Sequence, residues 1–410
     1  MATISGGGAT TILDLGSNET SAVTIKVGGS INSLLAGGTL TRTASPATPP
    51  PVGQGLAQIT VGGFYALPAA NSALTVQPGS GSVVIQGSGA TNQLVLIDTT
   101  VAAVFNTNGG SGTIVTGDSN QVVGTPTAGG GAFSINTGNG NDLIAAYSGN
   151  NTISAGAGSN IIGTGIAGTT SNDLVFASGN DTIVGLGGSG SDIVIAGGGT
   201  TFVTDGTKSL TFIGTSGAAT IIGGTSQEYV ALGTGGGQAG AGVGSSANLL
   251  LGGAGTAGST LFGGSNGDLL FARGAGQTVL VAGAGNETLS GLGSTGNNVF
   301  FTSSGNQVIG SGTGADLFVF GASGNATVNA GAGTDVFNFT NRAPGGSTEN
   351  VLVNNFQPNE IVNLQKSAAG VSFTAPTIRP VGTGTTVTLS DGTTITFANA
   401  AVTSSTFKIS

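Results

Sequence analysis

The 410-residue chain contains no cysteine, no histidine and no tryptophan. The lack of cysteine removes disulfides and thiolate chemistry. The lack of histidine removes the imidazole general base, the Ser-His-Asp arrangement and the common zinc and iron sites. No tryptophan can serve as a sugar platform, and Tyr65, Tyr147 and Tyr229 are too few to line the aromatic subsites of a glycosidase or lyase. Charge is scarce as well: charged residues are 6% of the chain, against about 25% in an ordinary soluble domain. Eight basic residues face 17 acidic ones, for a net charge of −9. The basic residues form no patch or run, which leaves nucleic-acid binding without an electrostatic footing. No apolar run reaches the roughly 18 residues of a membrane span, and no amphipathic membrane helix is evident, so membrane insertion is not expected. The first residues, MATISGGGATTILDLG, lack the basic region and apolar stretch of a cleaved secretory signal. None of these absences leaves an obvious catalytic apparatus, and the chain reads as a non-enzyme.

What the chain has instead is glycine, 80 of 410 residues, roughly three times the average usage of about 7%. The glycines follow no strict triplet, which excludes collagen. They cluster in a nine-residue pattern, clearest at Gly187-Gly-Ser-Gly-Ser-Asp-Ile-Val-Ile195. Its first six residues suit a turn, since glycine accepts positive φ at little cost. Its last three suit a short strand with Val194 pointing inward. One such unit cannot bury its own apolar side chain and must stack on copies of itself.

Copies are present. Thr137–Ala145 carries Asp142 and Ile144, Ser311–Val319 carries Asp316 and Phe318, and Ala330–Asn338 carries Asp335 and Phe337. Gly263–Phe271 carries Asp268, and Ala155–Gly163 places Asn160 where the others have Asp. Shorter Ser-Gly-Asn turns lie between them, at Ser148, Ser178, Ser304 and Ser323. Asp173 and Asp192 are 19 residues apart, as are Asp316 and Asp335. Two nonamers make about 18 residues, one full turn of a two-sided solenoid.

These nonapeptides resemble those of the RTX (repeats-in-toxin) secreted bacterial proteins. The resemblance implies an all-β fold, a right-handed parallel β-roll or β-solenoid with Ca²⁺ held between turns. It places ligands at Asp173 with Asp192 and at Asp316 with Asp335. Asp142, Asp181 and Asp268 follow, with the glycines Gly188, Gly190, Gly312, Gly314, Gly331 and Gly333, and Glu287 could substitute at longer reach. Many slots hold Asn, Gln, Thr or Ala instead. There the alternative is that Asp and Asn stabilise the turn by hydrogen bonds, with stacked asparagines supporting metal-free turns.

Along the chain, residues 1–52 read as an N-terminal β arm, including strands at Thr11–Leu15 and Ala22–Val27, followed by the Pro-rich spacer Ser45–Val52. Residues 53–136 read as metal-free solenoid turns, with the coil rhythm regular from Gly79. The RTX-like roll spans 137–340, with Gly233–Gly258 glycine-rich enough to form a bulge or protruding loop. Residues 341–410 read as a C-terminal cap, with a hairpin turning at Asp391-Gly392. By resemblance this segment doubles as an uncleaved type I secretion signal. The expected function is that of an extracellular or cell-surface bacterial structural protein, calcium-stabilised and assembling with copies of itself into a layer, filament or biofilm matrix. The alternative is a monomeric calcium-dependent adhesin or carbohydrate-binding module on a cell-surface polysaccharide. The export domain of an enzyme is a third reading, which the lack of a long non-repetitive segment disfavours.

Overall fold

A computed structural model describes residues 1–6, 9–43, 54–125, 130–244, 247–264, 266–321, 323–342 and 348–410. The spacer read at Ser45–Val52 lies outside the described residues. The chain divides into two compact units, Met1–Thr211 and Phe212–Ser410. The division falls inside the segment read as one RTX-like roll.

Each unit is a β-solenoid in which strands of three to seven residues alternate between two parallel sheets. In the first unit one sheet stacks Gly110–Thr116, Gly130–Asn136, Thr152–Ala155, Leu174–Ala177 and Ser191–Ala196 in register. The other stacks Val83–Gln86, Ala103–Asn106, Val122–Gly124, Leu143–Ala146, Ile161–Thr164, Thr182–Gly185 and Thr201–Thr204. Alternation along each strand sends every second side chain into a thin core, where Phe105, Val123, Ile144, Ile162, Ile183 and Val203 form one buried file. Val194 is buried as its place in the nonapeptide requires. In the second unit the file is heavier. Phe300, Phe318 and Phe337 stack with ring centroids 5.2 and 4.8 Å apart, and Phe320 lies on Phe339 at 4.5 Å. A parallel in-register stack places identical rings one strand spacing apart, so they stack face to face with a small offset.

The N-terminal segment departs from the expected β arm. Ala2–Gly6 and Ala9–Leu13 form an antiparallel hairpin, but Ala22–Ala36 is an α-helix, not a strand. Ser21 caps it by accepting the Thr24 N–H. Val27, Ile31 and Leu35 pack with Ile4, Leu13, Leu40, Leu56 and Leu96 over the end of the coils. This burial outweighs the β preference of Val and Ile. The coil rhythm also starts before Gly79: Leu40–Thr43 already pairs in parallel with Gln54–Ile59, and that strand with Asn71–Val76.

The glycine-rich stretch 233–258 is no protruding loop. Its described residues include Gly237–Gly240 and Leu249–Leu251, regular strands paired on both sides. The glycines are needed because neighbouring coils touch backbone to backbone; a Cβ on Gly242 would lie 1.5 Å from the Gly224 carbonyl oxygen. At the C-terminal end Gly384–Thr388 and Thr394–Phe397 form the expected hairpin, with Gly392 at φ +90° in its turn. Thr394–Phe397 and Phe407–Ile409 then extend the two sheets by one strand each.

Candidate functional site

The acidic residue of each nonapeptide stands at the start of a strand, immediately before it or, for Asp192, as its second residue, buried at the corner of the coil. There its side chain accepts the backbone N–H of the residue in the same slot one coil earlier. In the first unit Gln121 N–H donates to Asp142 Oδ1 at 2.8 Å, Asp142 N–H to Asn160 Oδ1 at 2.9 Å and Asn160 N–H to Asp181 Oδ1 at 3.2 Å. On the other sheet Asn151 N–H donates to Asp173 Oδ1 at 2.9 Å and Asp173 N–H to Asp192 Oδ1 at 3.1 Å. The second unit repeats the device: Asn248 donates to Asp268, Asn298 to Asp316 and Asp316 to Asp335. These partners are 18–22 residues apart, one coil. The second carboxylate oxygen often takes an N–H of its own turn, as Gly312 N–H to Asp316 Oδ2 and Gly264 N–H to Asp268 Oδ2. An asparagine keeps the first bond and uses its NH₂ to donate to a turn carbonyl, as Asn298 accepts the Thr278 N–H and donates to Gly296 O. Asp and Asn are therefore interchangeable in satisfying the inward N–H groups, which would otherwise be buried without a partner.

The slots differ in what neutralises them. Asp173 and Asp192, the leading pair from the sequence, come together, with the Lys208 ammonium between them. Lys208 donates to Asp192 Oδ1, to Asp173 Oδ2 at 3.4 Å and to Ser171 Oγ at 2.8 Å. All four residues are buried. The stem of Lys208 passes over Gly165, whose absent Cβ would sit 3.3 Å from Lys208 Cδ. Sequence reading missed this lysine because it lies outside the nonapeptides and reaches Asp173 from 35 residues away.

Among the described residues of the second unit, no lysine pairs with Asp316 or Asp335. Asp316, Asp335 and Glu360 follow one another in one column, each just before its strand and all buried. Glu360 Oε2 accepts the Gln357 N–H at 2.8 Å, while its Oε1 accepts no hydrogen bond. Burial, with Asp335 beside it, pushes the Glu360 carboxyl up to about 7. Burial raises Asp335 to about 6, a rise that the nearby Ser311 hydroxyl only partly offsets. In the other column burial, with Asp268 as neighbour, raises Glu287 to about 7, and its Oε1 is likewise unpartnered. Burial also raises Asp142, Asp173, Asp181 and Asp316.

The glycines of the motif take varied parts. Gly188, Gly190 and Gly333 hold positive φ of 90°, 120° and 129°. Gly188 O, Gly190 O and Gly312 O accept hydrogen bonds from Thr207, Ser209 and Ala332. Gly331 N–H donates to Ser311. A Cβ on Gly333 would meet Gly314 O at 2.2 Å, so Gly314 is a point of close approach. In the Asp316–Asp335–Glu360 column Asp335 Oδ2 and Glu360 Oε1 are buried without a hydrogen-bond donor, whereas both Asp316 oxygens have one. Among the described residues no three acidic side chains gather closely enough to hold a metal ion. Between Asp173 and Asp192 an ammonium already stands, which does not fit a calcium ion there.

On the outer surface of the second unit, exposed asparagines form a ladder. Asn306 donates to Asn286 at 2.7 Å, Asn325 to Asn306 at 2.7 Å and Asn350 to Asn325 at 3.0 Å. The outward faces are not polar. In the first unit Phe64, Val84, Val104, Val122, Leu143 and Ile161 stand one above another on successive strands. Phe64 is 72% exposed and Ile161 53%. Across its neighbouring outward positions run Ala66, Gln86, Asn106, Gly124, Ala145 and Gly163, none of them charged. In the second unit Tyr229, Leu249, Leu269, Thr288 and Val308 repeat the pattern.

In comparisons with known proteins, no family model matches the sequence and no curated protein matches it at a significant level. Among the described residues no helix is long and apolar enough to cross a membrane.

Proposed function

We propose that this chain is a structural protein of the bacterial exterior, without catalytic activity, that self-assembles through the outward faces of its coils. The observation that carries this reading is the ladder from Phe64 to Ile161, six apolar residues in register, five of them exposed and Val122 half-buried, on a sheet face free of charge. An exposed apolar strip of this kind is a mark of an interaction surface, and a periodic face matches the same face of a second copy at every strand spacing of about 4.8 Å. With charged residues at 6% of the chain, little electrostatic repulsion opposes lateral packing.

Calcium enters this reading as a stabiliser of the second unit, drawn to the unpartnered oxygens of Asp335 and Glu360 and supplying positive charge to carboxylates that burial otherwise drives toward protonation. In the calcium-poor cytosol those charges would oppose folding, and outside the cell the ion would favour it. Electron microscopy of the purified protein, in millimolar calcium and then with chelator, tests both parts. Ordered sheets or filaments only with calcium support the whole reading. Ordered assemblies in both conditions keep the structural role and remove calcium from it. Single particles in both conditions overturn self-assembly and turn attention to a monomeric adhesin.

A further inference from the structure

We propose that Lys208 and Asp192 join covalently, forming an isopeptide bond that staples adjacent coils of the first unit. The elements of such a reaction are assembled in one dry place. Lys208 is 1% exposed and Asp192 4%, and Nζ contacts the Asp192 carboxylate directly. Two donors already polarise that carboxylate: Asp173 N–H to Oδ1 at 3.1 Å and the Thr164 hydroxyl to Oδ2 at 2.6 Å. They are placed to stabilise the tetrahedral intermediate that attack by nitrogen would create. A second carboxylate oxygen, Asp173 Oδ2, lies 3.4 Å from Nζ and serves as the proton carrier. Ser171 Oγ, at 2.8 Å, fixes the ammonium group from another side.

The step balances without an outside reagent. The Lys208 ammonium gives a proton to Asp173, and the freed amine attacks Cγ of Asp192. The C–N bond forms, and one C–O bond of the former carboxylate breaks. Two protons lost by nitrogen end on the departing oxygen, which leaves as water. Asp173 passes them across and finishes ionised, as it began. An ammonium and a carboxylate become a neutral amide, with no oxidation or reduction. Burial drives the reaction, because a charged pair out of water carries a large desolvation penalty that an amide does not, and the product water is expelled from a closed core. The assignment is independent of the assembly reading, since it concerns the interior of a single chain.

Intact-mass spectrometry of the full-length protein under denaturing conditions, after incubation at neutral pH, tests this directly. The expected mass is one water below that of the sequence, and peptide mapping should recover a branched peptide joining the segments around 192 and 208. Lys208→Arg, which keeps a buried cation but forms no such amide, should show its full sequence mass. Asp173→Asn should also keep its full mass while retaining the wild-type circular dichroism. Full sequence mass for the wild type would overturn the proposal and leave Lys208 as a non-covalent counter-ion. A branch at Asp173 instead of Asp192 would overturn the assignment of the reacting carboxylate. A branch that still forms in Asp173→Asn would overturn the proton-carrier role.

Discussion

Replacing Glu360 by glutamine should make the second unit more stable at pH 8 and almost unchanged at pH 4.5. In the folded chain this carboxyl is raised from 4.5 to about 7, first by burial and then by Asp335. Its folded value lies above its unfolded one, so the native state binds the proton more tightly. The resulting stability is fully present below about pH 4.5 and is lost as the pH rises through about 7. At about 1.4 kcal/mol per pH unit, the rise corresponds to no more than about 3.5 kcal/mol. Glutamine cannot ionise, and its oxygen can still accept the Gln357 N–H that Glu360 takes at 2.8 Å. Gln121 and Gln307 already fill equivalent slots in other columns. Thermal unfolding followed by circular dichroism, in chelator from pH 4.5 to 8, provides the measurement. The variant should melt roughly 5–10 °C above wild type at pH 8, for a unit of this size, and the two curves should converge at pH 4.5. A variant that melts lower at pH 8, or a wild type whose stability does not fall between pH 4.5 and 7, would refute the argument that burial is what perturbs this carboxyl. Calcium added at pH 8 should stabilise wild type more than the variant if the ion uses this column.

Other substitutions separate the remaining contributions. Asp316→Ala strips the buried Asn298 and Gly312 N–H groups of their acceptor and should cost about 3 kcal/mol in chemical denaturation, whereas Asp316→Asn keeps one bond and should cost about 1. Equal losses would show that charge, not hydrogen bonding, is the role of the slot. Phe318→Ala opens a cavity between Phe300 and Phe337 and should cost about 3–5 kcal/mol by the same assay. Leu143→Lys places a charge at the middle of the exposed ladder and should abolish lateral assembly in electron micrographs while leaving the melting temperature within a few degrees; unaltered assemblies would exclude this face as the contact.

The repeat itself was legible because periodicity two and a coil of about twenty residues leave few options for which side chains face in. Ile144, Val194, Phe318 and Phe337 could be named as core residues from their place in the nonamer, and all four are buried. The hairpin at Asp391-Gly392 was likewise written in its turn residues. Ala22–Val27 reads as a strand but opens the helix Ala22–Ala36, in which Val23, Val27, Ile31 and Leu34 recur at helical spacing after the Ser21 cap. Local β-branching obscured that period, and what decides the helix is burial against Leu40, Leu56 and Leu96 from later coils. The same holds for the acidic slots. The sequence shows where each Asp lies along the coil, because turn chemistry is local. Whether its charge meets a lysine, an N–H group or another carboxylate depends on which coil is stacked above it. Lys208 reaches Asp192 and Asp173 over separations of 16 and 35 residues, and Glu360 reaches Asp335 only through an in-register sheet. Position within a coil is determined by sequence alone, whereas the electrostatic environment is set by neighbours that only the stacked structure supplies.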